Sequence, residues 1–424
     1  MTSSSSLVAP GGSFSHPAWR MLLIAFLAQN CAIGMNFGIY GTIVGALETG
    51  YHTNRTLAAS GLAFMTLLMG LLSPLMGGLM RRFSIRTLML VGTLVNAAGY
   101  GLLTVAPNIE AVLAIYTFVI GPGVCLLGPI SASTLANNWF LTGRGRVLGF
   151  VNMPLFVAIF PVLTAIVLPR FGLAGVFAMA ALVSLAFVPL AMTVISAPAD
   201  RGLRSFGDDG SVPAATDAAD LSGQGKGRIL TTREIHRSRS FQMIWLCIGL
   251  LTAGGVMMTT HIVSMAVEKG LALQPASLLL SVFGISATAG ALLFGWLADR
   301  IGGQRAVVVQ ALGWTVPWTA MLLLGPALLP LIAVAGLTGL ISGGIVGLCA
   351  VMINAWLGPQ NFPAAMGNVY FYKVPFLFGA APLAGHLFDR TGSYDVPILI
   401  HIATFLLVAM IFALFRPKII GQAA

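Results

Sequence analysis

The sequence predicts an all-α membrane protein with twelve transmembrane helices in two pseudo-symmetric six-helix bundles. The composition is 57% hydrophobic and 8% charged, whereas a soluble domain carries roughly 25% charged residues. The apolar residues form runs near the ~20 residues that a helix needs to cross the hydrocarbon core. The two halves of the chain also resemble each other at an offset of about 218 residues.

Six apolar runs precede one long polar stretch and six follow it. The polar stretch, 196–240, is rich in Ser, Gly, Asp and Arg and has no apolar periodicity. The runs lie at 19–46, 57–80, 86–106, 109–135, 146–168, 172–195, 241–267, 276–298, 304–325, 328–355, 362–388 and 395–415. The predicted parts are a flexible tail 1–18, a bundle 19–195, a linker 196–240, a bundle 241–415 and a tail 416–424.

Lysine and arginine residues alternate between the two sides of the predicted membrane. Of the 22 such residues, seventeen fall on one side, four fall on the other, and Lys373 lies within a span. Cytoplasmic loops carry the basic excess, so both tails and the linker are expected in the cytoplasm. Short tails without a targeting signal favour a bacterial inner membrane. A surface for nucleic acid would not alternate in this way, so the net charge of +10 indicates no nucleic-acid partner.

Three short segments of the first half recur, in the same order, in the second half. The matched segments are Gly77–Arg82 with Gly295–Arg300, Asn137–Trp139 with Asn354–Trp356, and Arg170–Gly172 with Arg390–Gly392. Two six-helix repeats with a binding site at their interface form a known transporter architecture.

The loop after the eighth span carries Gly295, Asp299, Arg300, Gly302 and Arg305 at fixed spacing. This motif resembles the cytoplasmic loop signature of the major facilitator superfamily. The resemblance implies the major facilitator fold, with the first, fourth, seventh and tenth spans lining a central pathway. It also implies that Asp299, Arg300 and Arg305 hold a cytoplasmic gate shut. Topology anchoring is the alternative role for these charges, and both roles can operate together.

A narrower resemblance points to the monocarboxylate porter and oxalate/formate antiporter branch. Segment 139–146 resembles that branch's loop after the fourth span, and segment 388–395 resembles its stretch between the last two spans. Arg144 in the first segment is either a gate residue or a topology determinant. Lys373 matches the lysine of the oxalate/formate members that contributes to carboxylate binding there.

The chain departs from these patterns at two places. Arg81 and Ser84 stand where the loop signature after the second span has Asp and Gly, so that half of the gate is expected to be weaker. Segment 288–292 in the eighth span is uncharged, whereas the branch often has an arginine there. Without a second cation, a monoanion or a bulkier acid is a better expectation than a small dianion.

Lys373 is the strongest candidate site residue. A cation at bilayer depth costs ~2.5–3.5 kcal/mol on insertion scales and marks a functional site by default. No carboxylate lies at comparable depth, so an anionic substrate is the simplest partner. Tyr370 is one turn earlier on the same face and could add a hydroxyl donor. The alternative is a snorkelling or helix-bracing lysine. Proton coupling through Lys373, with the anion favouring its protonated form, is a hypothesis.

Other polar residues of the spans are weaker candidates for substrate binding. Gln29, Asn36 and Tyr40 are spaced by seven and four residues, which puts them on one face of a regular helix. Thr259 and His261 lie in the outer half of the seventh span, the repeat partner of the first. The alternative for all five is hydrogen bonding between helices. Histidine can titrate near neutral pH, which makes His261 a further candidate for proton coupling.

The sequence shows no pattern for a metal, a cofactor or an enzyme. The cysteines lie in apolar runs without ligand spacing and are predicted to be packing residues; they are Cys31, Cys125, Cys247 and Cys349. No nucleotide-binding motif or set of nucleophile, base and acid occurs. ATP is therefore not expected to drive transport.

Together these patterns predict a secondary transporter of a small organic anion, in particular a monocarboxylate. Alternating access of the two halves would move the anion across the lipid bilayer, with protons as a possible co-substrate and a monomer as the functional unit. Symport, exchange and uniport all stay open. The alternative functions are efflux of drugs or amphipathic metabolites and ligand sensing without transport. Against drug efflux, the fifth span lacks the Gly-Pro signature of drug/proton antiporters.

Overall fold

The computed structural model describes residues 16–53, 55–207 and 229–417, and these are helical apart from connecting turns and one isolated backbone bridge. The predictions made for 1–15, 208–228 and 418–424 lie outside the described residues. They comprise most of the N-terminal tail, the middle of the linker with its basic residues, and most of the C-terminal tail.

The described residues contain ten helices that are long and apolar enough to cross a membrane. One of them, Arg144–Met192, holds two crossings because Gly172 leaves the helical conformation, with φ 63° and ψ −165°. A further apolar segment, 362–391, is interrupted at Lys373. These segments together give twelve crossings, so the predicted all-α fold is confirmed.

The crossings of the first half are numbered in chain order. They are α1 (Pro17–Gly50), α2 (55–82), α3 (Ile85–Leu103), α4 (Ile109–Trp139), α5 (144–171) and α6 (173–192).

The second half continues the numbering. Its crossings are α7 (Arg239–Glu268), α8 (Leu273–Ile301), α9 (Gly303–Leu323), α10 (Leu328–Leu357), α11 (362–391) and α12 (Asp395–Leu414).

Short polar residues set several of the helix starts. The Ser84 hydroxyl accepts a hydrogen bond from the Thr87 amide (3.1 Å) at the start of α3. The Asn108 side chain accepts one from the Ala111 amide (2.9 Å) at the start of α4. Each side chain satisfies one of the amides that a helix start leaves unpaired. These caps therefore stabilise the starts of α3 and α4.

The described ends of the predicted linker have structure that its composition did not predict. Phe206 pairs with the end of α4 through its backbone, donating to Trp139 O (2.8 Å) and accepting from Leu141 N (3.0 Å). A short helix, Thr232–Arg237, precedes α7 and is closed by a capping box in which Thr231 and Glu234 bond each other. The first end is thus held against α4, and the second end contacts α11, where His236 Nε2 lies 2.9 Å from Asn368 Oδ1.

Two glycine crossings join the halves. In the α5–α8 crossing, a Cβ at Gly149 would overlap the carbonyl of Ala291. In the α2–α11 crossing, a Cβ at Gly367 would overlap the carbonyl of Ser73. The two pairs are equivalent under the offset of about 218 residues seen in the sequence. Glycine is needed at both places because backbones approach closely there.

Candidate functional site

Lys373 lies at a break in α11. The helix Phe362–Tyr372 ends there and Val374–Thr391 begins after it, with Lys373 at φ −82° and ψ −7°. Pro375 explains the break, because proline lacks the amide that would bond the carbonyl four residues earlier. The Lys373 amide still donates to Val369 O at 3.0 Å. The break therefore disturbs the helix at the lysine without unfolding it.

The ammonium of Lys373 is buried and has no charged partner. The residue is 6% exposed, and its Nζ lies 3.7 Å from the centroid of the Tyr370 ring. Among the described residues, Nζ makes no hydrogen bond and no ion pair. The contact with Tyr370 is a cation–π interaction, in which the ring face of Tyr370 meets the ammonium. The Tyr370 hydroxyl as a donor to the substrate stays a prediction.

The site lies at the interface of the two halves. A Cβ on Gly70 of α2 would lie against the side chain of Val374 and 3.3 Å from Tyr370 O. The break in α11 therefore packs directly on the first half. An unpaired cation at the junction of two repeats is placed where a charge can respond to their relative movement.

The first half has a corresponding break in α5. The helix Arg144–Val151 ends before Asn152, and the next helix starts at Leu155. The repeat offset of about 218 residues matches Leu155 to Lys373. Interrupted spans at corresponding positions of two repeats are a strong pointer to a transporter's binding site.

Side chains of α1 form hydrogen bonds with the residues at this second break. Asn30 donates to Met153 O (3.0 Å) and accepts from the Phe156 amide (2.8 Å). Gln29 Nε2 donates to Asn152 Oδ1 (3.2 Å), while the buried Gln29 Oε1 has no partner within the described residues. Gln29 is thus part of a polar cluster at the α5 break.

Asn36 and Tyr40 point to other helices than Gln29. Asn36 Oδ1 accepts from the Tyr100 hydroxyl (2.8 Å) of α3. The Tyr40 hydroxyl donates to Ala58 O (2.7 Å) in α2. The predicted single face is wrong because α1 contains a π-helical segment, Asn30–Gly34, which rotates the residues after it relative to a regular helix. The contacts of Asn36 and Tyr40 lie within the first half, and their role in binding stays a prediction.

Thr259 and His261 are both hydrogen-bonded in the second half. The Thr259 hydroxyl bonds Gly255 O and Val256 O of its own helix, both at 3.0 Å. His261 lies 3.0 Å from Ala381 O through Nε2 and 3.1 Å from the Tyr394 hydroxyl through Nδ1. His261 therefore ties α7 to α11 and to the start of α12, and its role in proton coupling stays a prediction.

Asp299 joins the halves at the end that carries the basic loops. Its carboxylate accepts from the amides of Gly145 (2.7 Å) and Arg146 (3.0 Å) at the start of α5. It also pairs with Arg146 Nε at 3.2 Å, the one ion pair between described residues. A carboxylate is favoured at a helix N-terminus by the dipole and the free amides. Asp299 of α8 thus caps a helix of the other half.

The other predicted gate residues make different contacts. Arg144 Nε donates to Phe140 O (2.9 Å) within the same loop, so the partner of Asp299 is Arg146 rather than Arg144. The Arg300 guanidinium lies 4.5 Å from the Trp296 ring centroid. Arg305 is exposed. Gating by these three residues stays a prediction.

A pair of asparagines at the same interface could have been found from the repeat. Asn354 Nδ2 donates to Asn137 Oδ1 at 2.9 Å, and the two residues begin one of the matched segments. Residues related by a two-fold axis meet when they lie on it. Asn152 has no comparable signal, because its role depends on how α1 packs on α5.

The described residues hold no cluster of His, Cys, Asp and Glu that could bind a metal ion. Comparison with known proteins identifies the family. The model of the Major Facilitator Superfamily matches residues 25–275 and 245–421. The chain belongs to the Major Facilitator Superfamily.

Curated relatives support the narrower branch. Monocarboxylate transporter 12-B of Danio rerio is 30% identical over 175 residues, which cover 40% of this chain and 36% of the relative. Monocarboxylate transporter 10 of Mus musculus is 32% identical over 139 residues, covering 32% and 27%. The matched part spans about a third of each relative's length. The predicted resemblance to the monocarboxylate branch is confirmed.

Solved structures of the superfamily share the fold. The proton:xylose symporter XylE superposes with a TM-score of 0.72 at 15% identity, over 96% of this chain and 98% of XylE. The human organic anion transporter MFSD10 gives 0.69 at 16% identity, over 94% of this chain and 100% of MFSD10. At these identities the likeness shows the fold alone. The family is one of transporters, so this chain is a membrane transporter.

Proposed function

We propose that this protein is a secondary transporter of a small organic anion, and specifically of a monocarboxylate. The observation that carries the proposal is the Lys373 ammonium, which is 6% exposed and has no anionic partner among the described residues. A buried cation is normally paired. A carboxylate that enters with the substrate supplies the missing partner.

The number of cations favours a single carboxylate. Segment 288–292 of α8 provides no second charge, and Arg146 is already paired with Asp299. One ammonium balances one negative charge. The curated relatives are monocarboxylate transporters by name, which agrees with this substrate class.

Alternating access supplies the mechanism. Asp299 and the two glycine crossings close one end of the interface between the halves. If the basic loops face the cytoplasm, as the positive-inside rule implies, this conformation is closed to the cytoplasm. Anion binding at Lys373 must favour conversion between the open states, since a ligand shifts an equilibrium by its differential affinity. Both the cytoplasmic termini and the bacterial inner membrane stay predictions, and the named relatives are vertebrate proteins.

Counterflow in proteoliposomes tests the proposal. Vesicles loaded with an unlabelled carboxylate should accumulate the labelled form through the wild-type protein, and Lys373→Met should abolish accumulation. Lys269→Met is the matched control, because Lys269 lies at the end of α7 and donates to Leu324 O (3.0 Å). Accumulation that survives in Lys373→Met would overturn the anchor. Export of lipophilic cations without carboxylate counterflow would instead favour drug efflux.

A further inference from the structure

A cavity of about 470 Å³ lies beside the Asp299–Arg146 pair, away from Lys373. Its wall includes Trp19, Leu22 and Leu23 of α1, with Phe150 of α5 and Leu292 of α8. The volume lies within the ~300–1,000 Å³ range of small-molecule sites, which are mostly apolar with few polar groups. None of the functions above uses this cavity.

Arg146 is the charged group of the cavity wall. Its Nε is held by Asp299 at 3.2 Å, and its side chain is 65% exposed. The two Nη groups make no hydrogen bond to the described residues. A guanidinium offers five donors, so Arg146 can bind an anion through its Nη groups while Nε keeps the contact with Asp299.

The cavity is amphipathic along the membrane normal. Arg146 is in the first turn of α5, and its Cα lies at the level of Gly295 in α8. Leu292 is three residues earlier in α8, which at 1.5 Å per residue is about 5 Å deeper. Trp19 starts α1 at the level where aromatic residues mark the membrane interface. Leu23 and Leu292 are 52% and 41% exposed, so the apolar part of the cavity is open to the lipid side.

We propose that this cavity binds an anionic phospholipid of the adjoining leaflet, with its phosphate on Arg146 and an acyl chain along Leu23 and Leu292. An anionic head group matches the one charge of the wall, and an acyl chain matches the apolar depth. A soluble anion would leave the exposed side chains of Leu23 and Leu292 uncovered. The proposal does not depend on the identity of the transported substrate.

Phospholipid binding should favour one conformation of the transport cycle. Leu292 belongs to the second half, while the other four named apolar residues and Arg146 belong to the first. The complete cavity therefore exists when the halves meet at the Asp299 end. A ligand that binds this arrangement stabilises it, so the phospholipid favours the conformation closed at that end.

Photocrosslinking in nanodiscs tests the site. Wild-type protein in phosphatidylcholine nanodiscs receives a trace of phosphatidylglycerol with a diazirine in one acyl chain, and labelled peptides are mapped by mass spectrometry. Leu292→Trp fills the cavity. Leu293→Trp is its control, because Leu293 is the neighbouring residue, is 42% exposed and does not line the cavity.

The expected result is labelling of the peptides that hold residues 19–23 and 146–150. Labelling should fall by about tenfold, one decade in affinity, in Leu292→Trp and stay unchanged in Leu293→Trp. A phosphatidylcholine probe should label the same peptides weakly. Equal labelling by the two probes would overturn the anionic head group. Equal labelling of the two variants would overturn the site. Absence of labelling of these peptides would also overturn it.

Discussion

Replacing Lys373 by methionine removes the ammonium while keeping an unbranched apolar chain. A hydrogen bond to a charged group contributes about 1.5–3 kcal/mol, so losing it should weaken carboxylate binding by roughly 10- to 150-fold. The effect should appear in KM and also in the maximal rate, because an anion that no longer binds tightly cannot drive conversion between the open states.

The same substitution should not destabilise the protein. A buried ammonium without an anion costs free energy, and the cation–π contact with Tyr370 offsets that cost by about 0.5–2 kcal/mol. Lys373→Met removes both terms, so we expect an unchanged or higher Tm in detergent. Loss of transport together with gain of stability is the pattern of a site kept for function.

Two variants of Tyr370 separate the ring from its hydroxyl. The ammonium lies over the ring, 3.7 Å from the centroid, so Tyr370→Phe should keep nearly full transport. Tyr370→Leu removes the ring face, and the loss of about 0.5–2 kcal/mol should change substrate affinity by roughly 2- to 30-fold. A large defect in Tyr370→Phe would restore the hydroxyl donor that the sequence suggested.

Initial rates of labelled carboxylate uptake over a range of concentrations give KM and maximal rate for each variant, and thermal unfolding of the same preparations gives Tm. Wild-type kinetics in Lys373→Met would refute the reasoning. So would a clear fall in Tm with loss of folded protein, because a lysine that braces the helices would produce that result.

Three further predictions concern the contacts around the site. Asp299→Asn should shift the equilibrium between the open conformations less than about fivefold, because exposed ion pairs contribute about 0–1 kcal/mol. Asp299→Ala should shift it further, because it also removes the cap of α5, at about 0.5–2 kcal/mol. Cysteine accessibility along the pathway measures the shift, and equal shifts in the two variants would contradict the capping role. Gly149→Ala and Gly367→Ala should separate the halves at the Asp299 end. Gly379→Ala is the control, because its Cβ position has nothing within 4 Å. Spin-label distances between the halves measure the separation, and identical distances in all three variants would argue against the glycine crossings. His261→Gln should keep carboxylate uptake, because a glutamine amide can still bond Ala381 O and the Tyr394 hydroxyl; loss of uptake in a folded His261→Gln protein would contradict a role limited to joining helices.

The sequence was sufficient for the spans because the bilayer imposes a length and a polarity on each of them. It also singled out Lys373, since one cation within a long apolar run is conspicuous without any structure; Lys373 is buried, and its role in binding stays a prediction. It could not predict the π-helical segment of α1, which begins at Asn30, because the partners of Asn30 on α5 become its neighbours only after the helices pack. Periodicity assumes a regular helix, so the face predicted to join Gln29 with Asn36 and Tyr40 is interrupted by the π-helical segment between them.

The Asp299 contact shows a second limit of sequence reasoning. The loop motif named Asp299 correctly as a charge at the helix end, but its partners belong to the other half of the chain. Gly143 turns the loop with φ 64° and directs the amides of Gly145 and Arg146 toward α8. Two arginines separated by one residue look equivalent in the sequence, and the loop geometry selects Arg146.

The two helix breaks explain why the cation occurs in one half alone. In α5, Asn30 supplies both a donor and an acceptor to the broken backbone, so that break is closed by neutral groups and can persist unchanged. In α11, Lys373 can supply donors but no acceptor, and its ammonium instead rests on the Tyr370 ring. Nearly equivalent positions of the two repeats thus carry a break bonded by neutral side chains and a break beside an ammonium that has no ion pair among the described residues. This difference suits the proposed function, because a charge already neutralised by the protein would gain little from a carboxylate.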